Sequence, residues 1–112
     1  MAEAQDVAKL AYEAIELSKK SGKLRKGINE VTKAAERSAA KLVIIAQDVN
    51  PPEVIMHMTP LCNEKNIPLV QVPSKDELGA AAGLSVGTSA IAIVQEGDAA
   101  EVIKDIVKKL KE

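Results

Sequence analysis

Apolar residues recur along this chain at two spacings, and the spacing divides it into alternating helices and strands. Over residues 3–20, Val7, Leu10, Ala11, Ala14 and Leu17 keep one stripe, while Glu3, Asp6, Glu13 and Glu16 lie mostly off it. At about 100° per residue that is an amphipathic helix. Acid early and Lys19-Lys20 late complement the helix dipole, and Ser21-Gly22 closes the element. Residues 23–26 alternate weakly and predict a short edge strand whose charges discourage edge pairing. A helix from about 28 to 38 follows. Residues 41–46 hold a continuous apolar run, as expected of a central strand buried on both faces.

Asp48 through Pro52 predicts a turn, with proline placed to start a helix over about 52–65. Ile55, Met58, Leu61 and Cys62 would face inward from it, and Asn66 and Pro68 would stop it. Leu69–Val72 predicts a second central strand. Ser74 and Glu77 fit a capping box for a short, alanine-rich helix ending near Gly83. Leu84–Thr88 is a small, largely apolar loop expected to be exposed. Ser89–Val94 predicts a third central strand. Gly97-Asp98 starts a last helix with Val102, Ile103, Ile106, Val107 and Leu110 at helical spacing.

Strands separated by helices favour parallel neighbours with right-handed crossovers. The expectation is an α/β fold: a three-layer α/β/α sandwich around a mixed sheet of about four strands. The 112 residues read as one domain, 1–112, without repeat or linker. With one Tyr and no Phe or Trp, the core must be aliphatic and alanine-rich. No apolar run reaches the roughly 18 residues of a spanning helix, so no membrane partner is expected. The acidic stretch Met1–Asp6 does not resemble a signal peptide. The lone Cys62 offers no disulfide framework. Both point to a cytoplasmic setting.

Charge changes the picture when it is divided. The net charge is only −1. Yet residues 19–41 carry eight cations (Lys19, Lys20, Lys23, Arg25, Lys26, Lys33, Arg37, Lys41) against Glu30 and Glu36. The rest of the chain is acidic. A basic patch on an acidic body suits one polyanion-binding face with little stickiness elsewhere.

That patch contains Lys26-Gly27-Ile28-Asn29-Glu30-Val31-Thr32-Lys33, continuing to Arg37. Wound as a helix, Asn29, Lys33 and Arg37 share a face with Glu30 at its border, while Ile28, Val31 and Ala35 pack inward. Amides and carboxylates hydrogen-bond base edges, and Lys and Arg serve phosphates and guanine acceptors. The plain alternative is a solvated helix face with i,i+4 charge pairing. Elsewhere chemistry is sparse. His57 has no Cys or His partner and reads as a partly exposed bystander, and Cys62 as a buried small hydrophobe. Gly79, Gly83 and Gly87 close a helix instead of following a strand, unlike a phosphate loop. No nucleophile–base pair, metal cluster or paired carboxylates stand out, so neither enzyme activity nor a cofactor is expected.

Gly27-Ile28-Asn29-Glu30-Val31-Thr32-Lys33, then Arg37, then Ile45-Ala46-Gln47-Asp48-Val49-Asn50-Pro51-Pro52-Glu53, resemble the archaeal L-seven-Ae ribosomal protein family, kin of the eukaryotic snoRNP core proteins. Leu61–Pro68 and Ser74-Lys75-Asp76-Glu77-Leu78-Gly79 continue the match, which covers nearly the whole chain. The resemblance implies binding to kink-turns and kink-loops, where tandem sheared G·A pairs open a groove that regular A-form RNA hides. Asn29 and Glu30 would bond the two guanines. Lys33 would contact a guanine or phosphate, and Lys26, Arg37 and Lys75 the backbone. Gly27 would permit close approach, and Leu84, Ser85, Val86, Gly87, Thr88 and Ser89 would cover an extruded nucleotide. Implied partners are ribosomal RNA, box C/D and H/ACA guide RNAs, ribonuclease P RNA and ribonucleoprotein subunits, bound by a chain that is a monomer when free. The chain departs from many archaeal relatives at Gly87, where proline is common, near Ser85, where an acid is, and at Asn50, where aspartate is. A different reading takes Asp48, after a buried strand, as the centre of a receiver-like or small-ligand site. The first strand ends in Lys26-Gly27 instead of the acids such a site needs.

Overall fold

The computed structural model describes residues 4–49, 53 and 55–110. Helix α1 (Ala4–Ser21) leads into strand β1 (Lys23–Lys26), helix α2 (Ile28–Glu36) and strand β2 (Leu42–Ala46). Helix α3 (Met58–Lys65), strand β3 (Leu69–Val72), helix α4 (Lys75–Ala81) and strand β4 (Ala90–Gln95) follow. One 3-10 turn (Gly97–Ala99) opens helix α5 (Ala100–Leu110).

The sheet lies between two apolar layers. In β2 alternate residues face opposite ways, and all five are buried, as its unbroken apolar run predicts. Leu42, Ile44 and Ala46 join Val70, Val72, Ile91 and Ile93 against α1, α4 and α5. Val43 and Ile45 join Ala90 and Ala92 against Val31, Ala34 and Ala35 of α2 and Met58 and Cys62 of α3. This is the expected three-layer sandwich. Small Ala90 and Ala92 let α2 lie close on β4, which is how the second helix comes to hug the sheet.

The strand order is β1-β4-β2-β3, a mixed sheet. Only β2 and β3 pair in parallel; β4 runs antiparallel to both β1 and β2. The general expectation of parallel neighbours therefore fails for β4, and hydrogen bonds give the reason. A helix between strands normally returns the chain across the sheet. Here α4 has seven residues, and the loop after it folds straight back: Leu84 N–H donates to Gly79 O, and Thr88 N–H to Lys75 O. The chain thus enters β4 at the end of the sheet where it left β3, and Ala46 N–H donates to Ser89 O there. Strand β4 begins at Ala90, one residue later than predicted.

Two further corrections concern α3 and β3. The helix predicted from about 52 begins at Met58, and residues 50–52 and 54 of the predicted turn and helix start lie outside the described residues. Pro60 explains the late start, since an earlier helix would put its ring in the interior, where it removes a hydrogen bond and clashes with the preceding turn. From Met58 it falls in the first turn, where the missing N–H costs nothing. The helix ends as predicted at Asn66, which adopts the left-handed conformation (φ 58°). Strand β3 is an edge rather than a central strand, because β4 occupies the other side of β2. Its Gln71 is exposed accordingly, while Val70 and Val72 stay buried.

Candidate nucleic-acid interface

Gly27 sets the geometry of the site. It caps α2 at φ 90°, ψ 150°, a conformation that side-chain-bearing residues rarely adopt. This turns the chain from β1 into α2 within one residue. The Gly27 N–H donates to Ala90 O at 3.0 Å, and its carbonyl accepts from Val31 N–H at 3.0 Å. A Cβ at this position would meet nothing within 4 Å, so backbone conformation, not crowding, demands glycine.

Helix α2 then divides as its pattern predicts. Val31, Ala34 and Ala35 are buried and Ile28 is half-buried, whereas Asn29, Glu30, Lys33 and Arg37 are exposed. Lys33 Nζ lies 3.9 Å from a Glu30 carboxylate oxygen, with side chains 61% and 56% exposed. A pair so open to water is weak and readily exchanged for another partner. Lys26 is exposed at the end of β1. Arg37 sits at the far cap of α2, about 12 Å along the axis from Asn29 at 1.5 Å per residue, so it extends the face and does not converge on it.

Lys75 opens α4 and is exposed. Its N–H donates to an Asp48 carboxylate oxygen at 2.8 Å, and Ser74 Oγ accepts from Glu77 N–H at 3.2 Å, the expected cap. The loop beside it is not uniformly exposed, contrary to expectation. Ser85 and Val86 face water, Val86 with 70% of its surface exposed. Gly87 and Ser89 are half-buried, and Leu84 packs on the core. Thr88 is only 8% exposed, its hydroxyl donating to Ala90 O at 3.2 Å. The inward turn follows from the loop's fold-back onto α4, which makes every residue serve either that packing or the surface.

His57 differs from the bystander expected. It is exposed, but Thr32 Oγ1 lies 2.8 Å from its Nε2 and donates to Ile28 O at 2.6 Å. That contact ties the start of α3 to α2. Ile28, Asn29, Thr32, Lys33, Glu36 and His57 line an open groove there. Thr32 and Glu36 join this surface without a signal of their own in the sequence, although both lie one helical turn from named face residues.

Asp48 holds the α4 start by accepting from the Lys75 N–H. Among the described residues, no group of three or more His, Cys, Asp or Glu side chains is placed to hold a metal ion. Burial pushes the Cys62 thiol above its ordinary pKa, which suits a packing role. Among the described residues, no helix is long and apolar enough to cross a membrane.

The fold and this surface define a class: a small α/β sandwich that presents an amide, a carboxylate and cations on a helix edge, flanked by a small apolar loop. The sequence model of the ribosomal protein L7Ae/L30e/S12e/Gadd45 family matches residues 9–103, and the chain belongs to that family. Among solved structures it is similar to the Giardia lamblia 15.5kD RNA binding protein, with a TM-score of 0.89 and 30% sequence identity. That likeness covers 99% of this chain and 91% of the other.

Proposed function

We propose that this chain is a non-enzymatic RNA-binding protein that recognises kink-turns and kink-loops and holds them bent. One observation carries the reading: the turn into the exposed Asn29-Glu30-Lys33 edge, at Gly27, and the loop that exposes Val86, at Thr88, hydrogen-bond to the same carbonyl, Ala90 O. Membership of a ribosomal protein family and likeness to an RNA binding protein support it. In a sheared G·A pair the guanine keeps free donors and acceptors. The Glu30 carboxylate accepts from its N–H groups, and the Asn29 amide bonds an adjacent acceptor. Lys33 reaches a guanine or phosphate, and Lys26, Arg37 and Lys75 neutralise phosphates flanking the bend. Val86 offers a dry contact to an unstacked base. Thr88 does not touch the RNA in this reading, because its side chain is covered.

The RNAs that fit are those rich in such bends: ribosomal RNA, box C/D and H/ACA guide RNAs, and ribonuclease P RNA. Any modification chemistry belongs to partner subunits, bound in the cytoplasm by a protein that is monomeric when free. Titrating a kink-turn oligonucleotide against one whose G·A pairs are made Watson–Crick tests the reading. Strong preference for the first is expected, and equal affinity would refute it.

A further inference from the structure

The two halves of the proposed face are joined by one backbone carbonyl. The Ala90 oxygen accepts from Gly27 N–H at 3.0 Å and from the Thr88 hydroxyl at 3.2 Å. Thr88 N–H in turn donates to Lys75 O at 3.1 Å, and Lys75 N–H to Asp48 at 2.8 Å. A series of hydrogen bonds therefore links Asp48, just past β2, to Lys75 at the first residue of α4, to Thr88 of the loop and, through Ala90 O, to Gly27 at the start of α2. On its other side the loop rests on Gly79, where any Cβ would collide with the Val86 carbonyl oxygen and stand 3.1 Å from Gly87 Cα. Gly79 is buried within α4, so its lack of a side chain serves that close approach.

We propose that Thr88 and Gly79 are positioning residues, which touch no RNA but fix where Val86 stands relative to Asn29 and Glu30. The inference rests on the RNA-binding reading above. Its physics is pre-organisation. A loop released from Ala90 samples other positions, and the apparent affinity falls by the fraction of time the binding arrangement is lost.

Thr88→Val tests this with little change of shape. It removes the donor yet leaves the Ala90 oxygen paired with Gly27 N–H, so no buried acceptor is orphaned. Thr88→Ser keeps the hydroxyl. Two measurements apply: backbone order parameters at residues 85–87 in the free protein, and affinity for a kinked RNA with its extruded base present or replaced by an abasic residue. Thr88→Val should lower the order parameters. It should weaken binding to the intact RNA about fivefold, and to the abasic RNA less than about twofold. Thr88→Ser should restore both. Unchanged order parameters, or equal losses on the two RNAs, would overturn the positioning role. A wild-type protein that binds kinked and regular RNA alike would instead overturn the reading of the face, while the order parameters would still decide whether Thr88 fixes the loop. Gly79→Ala provides the independent check, because pushing Val86 outward should reproduce the base-dependent loss; a loss of the same size on the abasic RNA would count against the inference.

Discussion

Replacing Gly27 with alanine separates backbone conformation from steric crowding. The residue holds φ 90° and ψ 150°, and an added Cβ would meet nothing within 4 Å. No collision has to be relieved, so the whole effect is conformational. Holding a side-chain-bearing residue in such a region costs about 1–3 kcal/mol. Stiffening the unfolded chain offsets about 0.4–1 kcal/mol of that. The net expectation is a loss of about 1–2 kcal/mol, roughly 4–8 °C in Tm for a domain of this size. Urea unfolding followed by circular dichroism would measure it, with the m-value unchanged if the native state keeps its compactness. Should the variant escape the strain by flipping, the amide at position 27 would leave Ala90 O and exchange faster with solvent. A loss below about 0.5 kcal/mol with that amide still protected would refute the claim that backbone conformation demands glycine here.

Other consequences can be checked separately. Replacing Lys26 or Lys75 by alanine should weaken RNA binding across sequences and reduce the slope of log K against log salt by roughly 0.7–0.9 for each phosphate no longer neutralised; an unchanged slope would remove that residue from the interface. Asp48→Ala should cost about 1 kcal/mol, because Lys75 N–H loses its acceptor at the start of α4, and a neutral effect would argue that water replaces it fully. Tyr12 is the only tyrosine, so its ionisation can be followed directly by absorbance. Its hydroxyl is covered and has no hydrogen-bond partner among the described residues, and burial first, then the nearby Glu77 carboxylate, holds its pKa up to about 12. The folded state keeps that proton more tightly, so the stability tied to Tyr12 is complete below pH 10 and is lost as pH rises through about 12. A native-state titration centred near pH 10 would contradict this placement.

Much of the fold was legible because local signals agreed with tertiary ones. The apolar run of β2 named a strand buried on both faces, and Ser74 with Glu77 named a helix start that the Ser74 Oγ bond bears out. The inward and outward faces of α2 followed from period alone. What was not legible depends on bonds between distant residues. The direction of β4 is decided by the loop folding back onto α4 through Thr88 and Lys75, and no local pattern reports such a bond. The same fold-back buries Thr88, which sequence groups with its exposed neighbours. The start of α3 was readable in principle, since Pro60 limits how early the helix can begin, but Pro51-Pro52 offered a competing start signal. His57 found its partner in Thr32, 25 positions away, beyond any sequence period.

The central claim is that Asn29 and Glu30 distinguish sheared guanines from paired ones. A cycle that combines Asn29→Ala/Glu30→Ala with replacement of the tandem G·A pairs by Watson–Crick pairs tests it directly. If both side chains read guanine edges, the two changes are coupled by at least about 2 kcal/mol, and the variant binds the two RNAs with similar affinity while keeping its fold. Additive losses, with the variant still preferring the kinked RNA as strongly as the wild type does, would contradict the account.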